Sequence, residues 1–267
     1  NILITQFIAW YLIVQLITLL TLPLSTSLFV NLPDRGYALA KILGILLVGF
    51  TLWLGTSYGL LRNETGGAWL ALVIVGAASL FLGRTWVSTL LHTRKLNLPW
   101  QPIVAVELLF LLAFAGWTLV RAYDPAANHT EQPMDLMFMN SIWVSPTYPP
   151  HDAWLSGYAI SYYYFGYWLL TTLGRLAGQP PEIAYNLGQA CWFGFLLIGC
   201  FGVVYNLLAH AGRRQRSALL GGLLAAVAIG LGQRVARDHV IGDVEPPFGQ
   251  IAYHLARTAV KPRIQLP

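Results

Sequence analysis

The sequence predicts an all-α fold: a polytopic bundle of about seven transmembrane helices, interrupted by one long external loop that carries a short interfacial helix. Three observations predict it. The 267 residues are 56% hydrophobic and only 10% charged, against roughly 25% charged in an ordinary soluble domain, and the mean hydropathy is +0.58. So few charges cannot cover the surface of a water-soluble chain of this length, so most of that surface faces lipid. The apolar residues also fall into runs long enough to cross a bilayer, and those runs lack period-two alternation. The connections between them leave no room for closed barrel strands, so the runs read as helices.

About 20 apolar residues cross the hydrocarbon core as a helix. Residues 1–33 carry no charge, and Ile2 to Leu24 forms the first expected span. Ile42 to Leu61 gives 20 uncharged residues and Thr65 to Gly83 gives 19, the second and third spans. The fourth, about Ile103 to Val120, contains one ionisable residue, Glu107, before Arg121 closes it. A fifth is expected from about Ala159 to Leu173, a sixth from Ala184 to Ala209, and a shorter seventh from Ala218 to Gly232. Residues 1–121 therefore hold helices one to four, 122–157 the external loop, and 158–233 helices five to seven. Residues 234–267 read as an amphipathic, truncated C-terminal segment. The first run has neither a basic n-region nor a small-residue cleavage site, and the chain reads as a piece of a longer protein, integral and multi-pass in the cell membrane.

Sixteen Lys and Arg against eleven Asp and Glu give a net charge of +5, and the pI is 9.3. The cations are scattered among apolar runs and line no single face, which excludes a nucleic-acid partner and fits basic loop ends on a membrane protein. With seven spans, the positive-inside rule balances poorly: Arg234 and Arg237 tip the long fourth loop to the outside, while Arg213, Arg214 and Arg216 argue against it. Cys191 and Cys200 are too few for a disulfide framework.

The fourth loop, Ala122 to Gly157, is unlike the rest. It holds four of the eleven acids (Asp124, Glu131, Asp135 and Asp152), two histidines (His129 and His151) and five of the fifteen prolines. Unstructured loops of this length are uncommon unless functional, and within it Met134 to Val144 suits a short helix lying in the interface. Glu131 and Asp135 stand four apart, with Pro133 in the first turn. Either both face a cleft, one as general base and the other as metal ligand or orienting group, or Glu131 only complements the helix dipole and Asp135 is solvated. The aromatic run at Tyr162, Tyr163 and Tyr164 and at Trp154 has the composition of an interfacial belt, which leaves His151 and Asp152 unexplained. Glu107 is either functional, as an intramembrane acid, or paired with a neighbouring Arg or Lys. Arg35 and Lys41, flanking the second span, read as interfacial anchors or as ligands for a lipid phosphate. The chain has no Gly-rich phosphate loop, zinc spacing or Gly-x-Ser-x-Gly elbow. Asn63-Glu64-Thr65 and Asn128-His129-Thr130 are glycosylation acceptor triplets.

Five ordered motifs carry a resemblance. Leu32-Pro-Asp-Arg-Gly-Tyr-Ala-Leu-Ala-Lys41, Glu131-Gln-Pro-Met-Asp135, Pro149-Pro-His-Asp152-Ala-Trp154 with Gly157, Tyr162-Tyr-Tyr-Phe-Gly166 and Tyr185-Asn186-Leu187 resemble the YYY family of polytopic membrane proteins, named for its tyrosine triplet. That family in turn resembles the C-type glycosyltransferases, which take a sugar from a polyprenyl-phosphate carrier. In those enzymes the first large external loop bears an acidic catalytic residue near a juxtamembrane helix, and many carry an adjacent Asp-Glu pair. Here the acids are four residues apart, which leaves open whether Glu131 or Asp135 is the base.

The resemblance implies transfer of a sugar from a polyprenyl-phosphate donor to an acceptor at the outer face. Glu131 or Asp135 would deprotonate the acceptor. Asp135, His151 and Asp152 would hold a divalent cation, Mg or Mn, and Arg35, Lys41 or Arg121 would bind the phosphate. Trp154 and Tyr162, Tyr163 and Tyr164 would contact the sugar or the lipid chain. The alternatives are a transporter or flippase built around Glu107 and the loop acids, and a non-catalytic scaffold subunit.

Overall fold

The computed structural model describes residues 2–94 and 98–243. These residues build helices without strands, apart from one isolated bridge between His151 and Ala159. The helices are α1 (Ile2–Leu28), α2 (Tyr37–Ser57), α3 (Thr65–Leu82), α4 (Arg84–Thr93), α5 (Trp100–Tyr123), α6 (Gln132–Val144), α7 (Phe165–Ala177), α8 (Pro181–His210) and α9 (Gln215–Asp243). Six are long and apolar enough to cross a membrane: α1, α2, α3, α5, α8 and, from Gln215 to Gly232, α9. The chain divides into two units, residues 1–226 and 227–267. In the second, the backbone continues α9 to Asp243; the rest of the segment expected over 234–267 lies outside the described residues.

In the first unit, α5 lies along α8 and α1 packs on α2 and α3. The seam of α5 and α8 is aromatic, with the Phe110 and Phe195 rings stacked at 5.4 Å. Close approach there depends on small residues, as in membrane bundles generally. A Cβ on Gly194 would stand 2.9 Å from the Phe110 ring, and one on Gly202 would stand 2.5 Å from Ala38 Cβ. Leu12, Leu19, Val73, Leu112 and Leu207 point outward as the lipid-facing surface.

Hydrogen bonds between connections identify which helix ends lie together. Asn63, between α2 and α3, donates its Nδ2 to Ile142 O of α6 (2.6 Å) and Ser145 O (2.9 Å). Asn186, in the second turn of α8, donates to Pro125 O beyond α5 (3.1 Å). These segments share one end of the bundle with α6. At the opposite end, the Asp34 backbone N donates to Asn206 Oδ1 near the close of α8 (3.1 Å), and Gln215 Nε2 donates to Gln101 Oε1 (2.9 Å).

The Leu-Pro-Asp-Arg-Gly motif is the turn at that opposite end. The buried Asp34 carboxylate accepts from the backbone N of Gly36 (2.8 Å) and of Ala38 (3.0 Å), satisfying donors at the start of α2. Arg35 and Gly36 are both left-handed, with φ of 53° and 75°. Gly36 also lies so close to Phe29 that a Cβ would stand 2.4 Å from its ring.

Six candidate crossings fit the expected bundle of about seven, and the difference lies at the fifth expected span. The segment expected to cross from Ala159 to Leu173 becomes helical only at Phe165, and α7 has 13 residues. At 1.5 Å per residue that is about 20 Å, short of a hydrocarbon core of about 30 Å. Both α6 before it and the start of α8 after it lie at the same end, so α7 docks there without crossing. Its Trp168 is fully buried and donates Nε1 to Gly49 O of α2 (2.9 Å). Apolar tyrosines had extended the run beyond its helical part. The short helix α4, with no buried residue, was not read from the sequence.

One glycine ties the fold to the α6 end. A Cβ on Gly67 in the first turn of α3 would stand 1.9 Å from the backbone oxygen of Arg62, so Gly67→Ala must displace the turn that carries Asn63. Overpacking of this kind destabilises by about 1–3 kcal/mol. A lowered unfolding temperature in detergent is the expected result, and an unchanged one would show that the turn is free to move.

Candidate functional site

The α6 helix covers the segment read as a short helix, starting at Gln132 with Pro133 in its first turn, where a missing N–H is harmless and φ is preset. Its far end is held by Asn63, which is 2% exposed. That burial rules out modification at the Asn63 acceptor triplet in the folded protein. Arg175 at the end of α7 donates Nη2 to Trp143 O (2.7 Å) and lies 4.4 Å over the Trp143 ring. Burial pushes its pKa down to about 10, with Glu64 acting against that shift, so the side chain is cationic at neutral pH. Arg175→Lys keeps the charge but loses the flat stacked fork. A hydrogen bond from a charged donor is worth about 1.5–3 kcal/mol, so amide exchange in α6 should accelerate roughly tenfold or more. Unchanged exchange would mean that Arg175 does not hold α6.

Asp135 faces inward from α6 toward two tyrosines. Tyr167 of α7 donates its hydroxyl to Oδ1, and Tyr185 of α8 donates to Oδ2 at 3.2 Å. Burial and the adjacent carboxylate push the Tyr167 phenol up, keeping it protonated as a donor. Phe138, one turn further along α6, stacks on Tyr162 at 5.3 Å and on Tyr167 at 5.7 Å. Glu131 immediately precedes α6 and is exposed, and among the described residues no hydrogen bond or ion pair engages its carboxylate. Both acids act on the Tyr162 hydroxyl, whose pKa is pushed up to about 12, first by its hydrogen bond with Tyr163 and then by burial and surrounding negative charge. Phe138 and Tyr167 thus bring Asp135 and Tyr162 to the same helix, with the exposed Glu131 just ahead of it.

The tyrosine triplet divides by direction. Tyr163 is 80% exposed and its ring lies 4.1 Å from that of Tyr162. Tyr164 turns inward, accepting from Trp53 Nε1 (2.9 Å) and hydrogen-bonding Tyr148. Burial and the Tyr148 hydroxyl push its pKa up to about 12. Tyr164 therefore packs α7 against α2, while Tyr162 and Tyr163 remain open to a ligand, as does Trp154 at 73% exposure.

The metal set read from the sequence is not assembled. Asp152 accepts from the backbone N of Trp154 (2.8 Å) and Leu155 (3.0 Å), capping its own turn. His151 is held through its backbone, its N donating to Ser145 Oγ (3.0 Å) and its oxygen accepting from Ser141, while Asp135 is engaged by tyrosines. Among the described residues no three His, Cys, Asp or Glu side chains converge. Local backbone bonding, invisible in residue spacing, turns these groups apart.

The expected phosphate cations also separate. Arg121 is at the α6 end, donating Nε to Asn186 Oδ1 (2.8 Å). Arg35 lies in the turn at the opposite end. Lys41 is no interfacial anchor: it is fully buried in α2, where Nζ donates to Glu107 Oε1 (2.7 Å) and Gln15 Oε1 (2.9 Å). Gln15 Nε2 and the Tyr37 hydroxyl donate to the same carboxylate, each at 2.7 Å. Lys41 is eight residues before Gly49, whose oxygen meets Trp168, which places it about 12 Å deeper along α2. Glu107 thus follows the paired alternative.

Sequence reasoning assigned no role to Tyr167, Tyr185, Asn186, Gln15 or Arg175. Tyr185-Asn186 did stand in a quoted motif, in the second turn of a helix opened by Pro180-Pro181, but spacing gave no sign that Tyr185 meets an acid 50 residues earlier.

Fold and site together define a polytopic helical membrane protein with an acid-bearing helix at one end of its bundle. Residues 47–237 match the family described as Uncharacterized membrane protein (DUF2298), and the chain belongs to that family. No curated protein and no solved structure matches it.

Proposed function

We propose that this integral membrane protein transfers a glycosyl group from a polyprenyl-phosphate donor to an acceptor hydroxyl at the outer face. The observation that carries the reading is the division of labour between the two acids. Asp135 has each carboxylate oxygen bound by a tyrosine from a different helix, whereas Glu131, four residues earlier and exposed, is unengaged. Glu131 is then the base. It takes the acceptor proton as the acceptor oxygen bonds to the anomeric carbon, and the bond from that carbon to the phosphate oxygen breaks, releasing polyprenyl phosphate. Asp135 positions α6 and its tyrosines. Tyr162, Tyr163 and Trp154 offer exposed rings to a sugar.

The six-helix count supports the outer placement. Without a fifth crossing, the turns holding Arg35, Arg84, Arg94, Arg213 and Arg214 share the opposite end, while Arg62, Arg121 and Arg175 share the α6 end. By the positive-inside rule, the excess of arginines in these turns favours the α6 end outside, with Arg213 and Arg214 now on the same side as Arg35 and Arg84.

The test is transfer of labelled sugar from a short-chain polyprenyl-phosphate donor by the purified protein, with Glu131→Gln, Asp135→Asn and Glu107→Gln compared. An enzyme of this design loses transfer with Glu131→Gln. A transporter would depend on Glu107, and a scaffold on none of the three. Full transfer by Glu131→Gln overturns the assignment.

A further inference from the structure

Behind Tyr185-Asn186, on the side of α5, lies a cavity of about 620 Å³ between the start of α1, the end of α5 and the start of α8. Its walls are apolar, formed by Ile4, Phe7, Leu119, Ile183 and Leu187. Arg121 is the one cation in that lining. The side chain is only 9% exposed, and its single hydrogen bond in the structure uses Nε, to Asn186. Its Nη2 is buried and has no partner, and one turn earlier Thr118 Oγ1, also on the cavity wall, is in the same state. Among the described residues no carboxylate lies within 4.0 Å of the guanidinium.

A buried N–H of a charged group left without an acceptor is destabilising, and cations at membrane depth are ordinarily paired. Here the missing acceptor and an apolar cavity occur together. A ligand with one negative head and a long apolar body would satisfy both. Guanidinium forks favour phosphate oxygens, and the α8 N-terminus adds positive potential. Glu182 stands exposed in the first turn of α8 on the cavity rim. Its repulsion falls most heavily on a doubly ionised head, so the single cation Arg121 suits a head with one negative charge.

We propose that this cavity binds a phosphodiester lipid, one chain along the apolar wall and the phosphate on the Arg121 guanidinium, whose unpartnered Nη2, like Thr118 Oγ1, lies just beneath the cavity surface and turns outward to meet it. In the transferase reading the lipid is the sugar donor, and the site rests on that reading for this role alone. Binding itself is independent of Glu131 and Asp135.

The experiment uses the purified full chain in phosphatidylcholine nanodiscs containing a minority of phosphatidylglycerol, a singly charged phosphodiester. Lipid retained after transfer to detergent is counted by native mass spectrometry. Phosphatidylglycerol should be retained in preference to phosphatidylcholine. One charged hydrogen bond, about 1.5–3 kcal/mol, corresponds to roughly a tenfold to hundredfold loss on Arg121→Gln, and Arg121→Lys should keep part of the preference. Ala122→Trp, at the exposed cavity wall, should block retention while leaving Arg121 in place, and it carries the test should Arg121→Gln fail to fold. Equal retention of the two lipids, retention unaffected by Arg121→Gln or by Ala122→Trp, or complete displacement by millimolar inorganic phosphate would overturn the site. Arg121-dependent retention without sugar transfer would uphold the site while the transferase reading falls. Transfer without such retention would overturn the site and spare the reading.

Discussion

Glu131→Gln is expected to lower glycosyl transfer by about 10²- to 10⁴-fold, the usual contribution of a positioned general base, with little change in unfolding temperature. The side chain is exposed and holds no other group, so its loss removes a proton acceptor and leaves packing intact. Asp135→Asn should behave differently. It retains an oxygen for one tyrosine but turns the other position into a donor facing a donor. Both Tyr167 and Tyr185 rely on that carboxylate, so activity and the stability of α6 should fall together. Raising the pH should restore activity to neither variant, since an amide has no proton to lose in this range. A Glu131→Gln protein with full activity, or one that loses activity only by unfolding, would remove Glu131 from the chemistry.

Lys41→Met is expected to destabilise the bundle by about 3–5 kcal/mol, the range for stripping one partner from a buried ion pair. Lys41 is 0% and Glu107 26% exposed, so the carboxylate would keep its hydrogen bonds to Gln15 and Tyr37 but lose the one cation paired with it among the described residues. Four groups on three helices meet here, and the change should loosen α1, α2 and α5 together. The double variant Lys41→Met with Glu107→Leu should recover most of the loss, because apolar replacement of both charges removes their desolvation penalty as well as their attraction. Thermal unfolding in detergent measures both. Additive destabilisation in the double variant would show that the pair is uncoupled, and a neutral single variant would show that water already screens Glu107.

The sequence made some of these features readable and concealed others for a common reason. Long apolar runs revealed α1, α2, α3, α5, α8 and the span in α9, since a lipid solvent acts on each helix separately and leaves its mark on local composition. The same measure failed at α7, where tyrosines and tryptophan extended an apolar run that folds into a half-length helix docked by Trp168 on Gly49. Pro133 marked the start of α6, but nothing in its own residues identified Asn63 and Arg175 as the groups that hold its end. The Leu-Pro-Asp-Arg-Gly motif was visible as a pattern and proved to be a turn in which Asp34 bonds backbone amides.

The sequence alone determined that the chain is a helical, multi-pass membrane protein with its polar chemistry concentrated between residues 122 and 164, because composition over 20-residue windows reports which solvent a segment prefers. Tertiary structure alone decided which acid is clamped and which is open, that Lys41 belongs to Glu107, and that Arg121 lines an apolar cavity with a buried donor unused. Those outcomes depend on contacts across 32 to 92 residues of chain, and the directions in which side chains meet are set by helix packing, which no local pattern encodes.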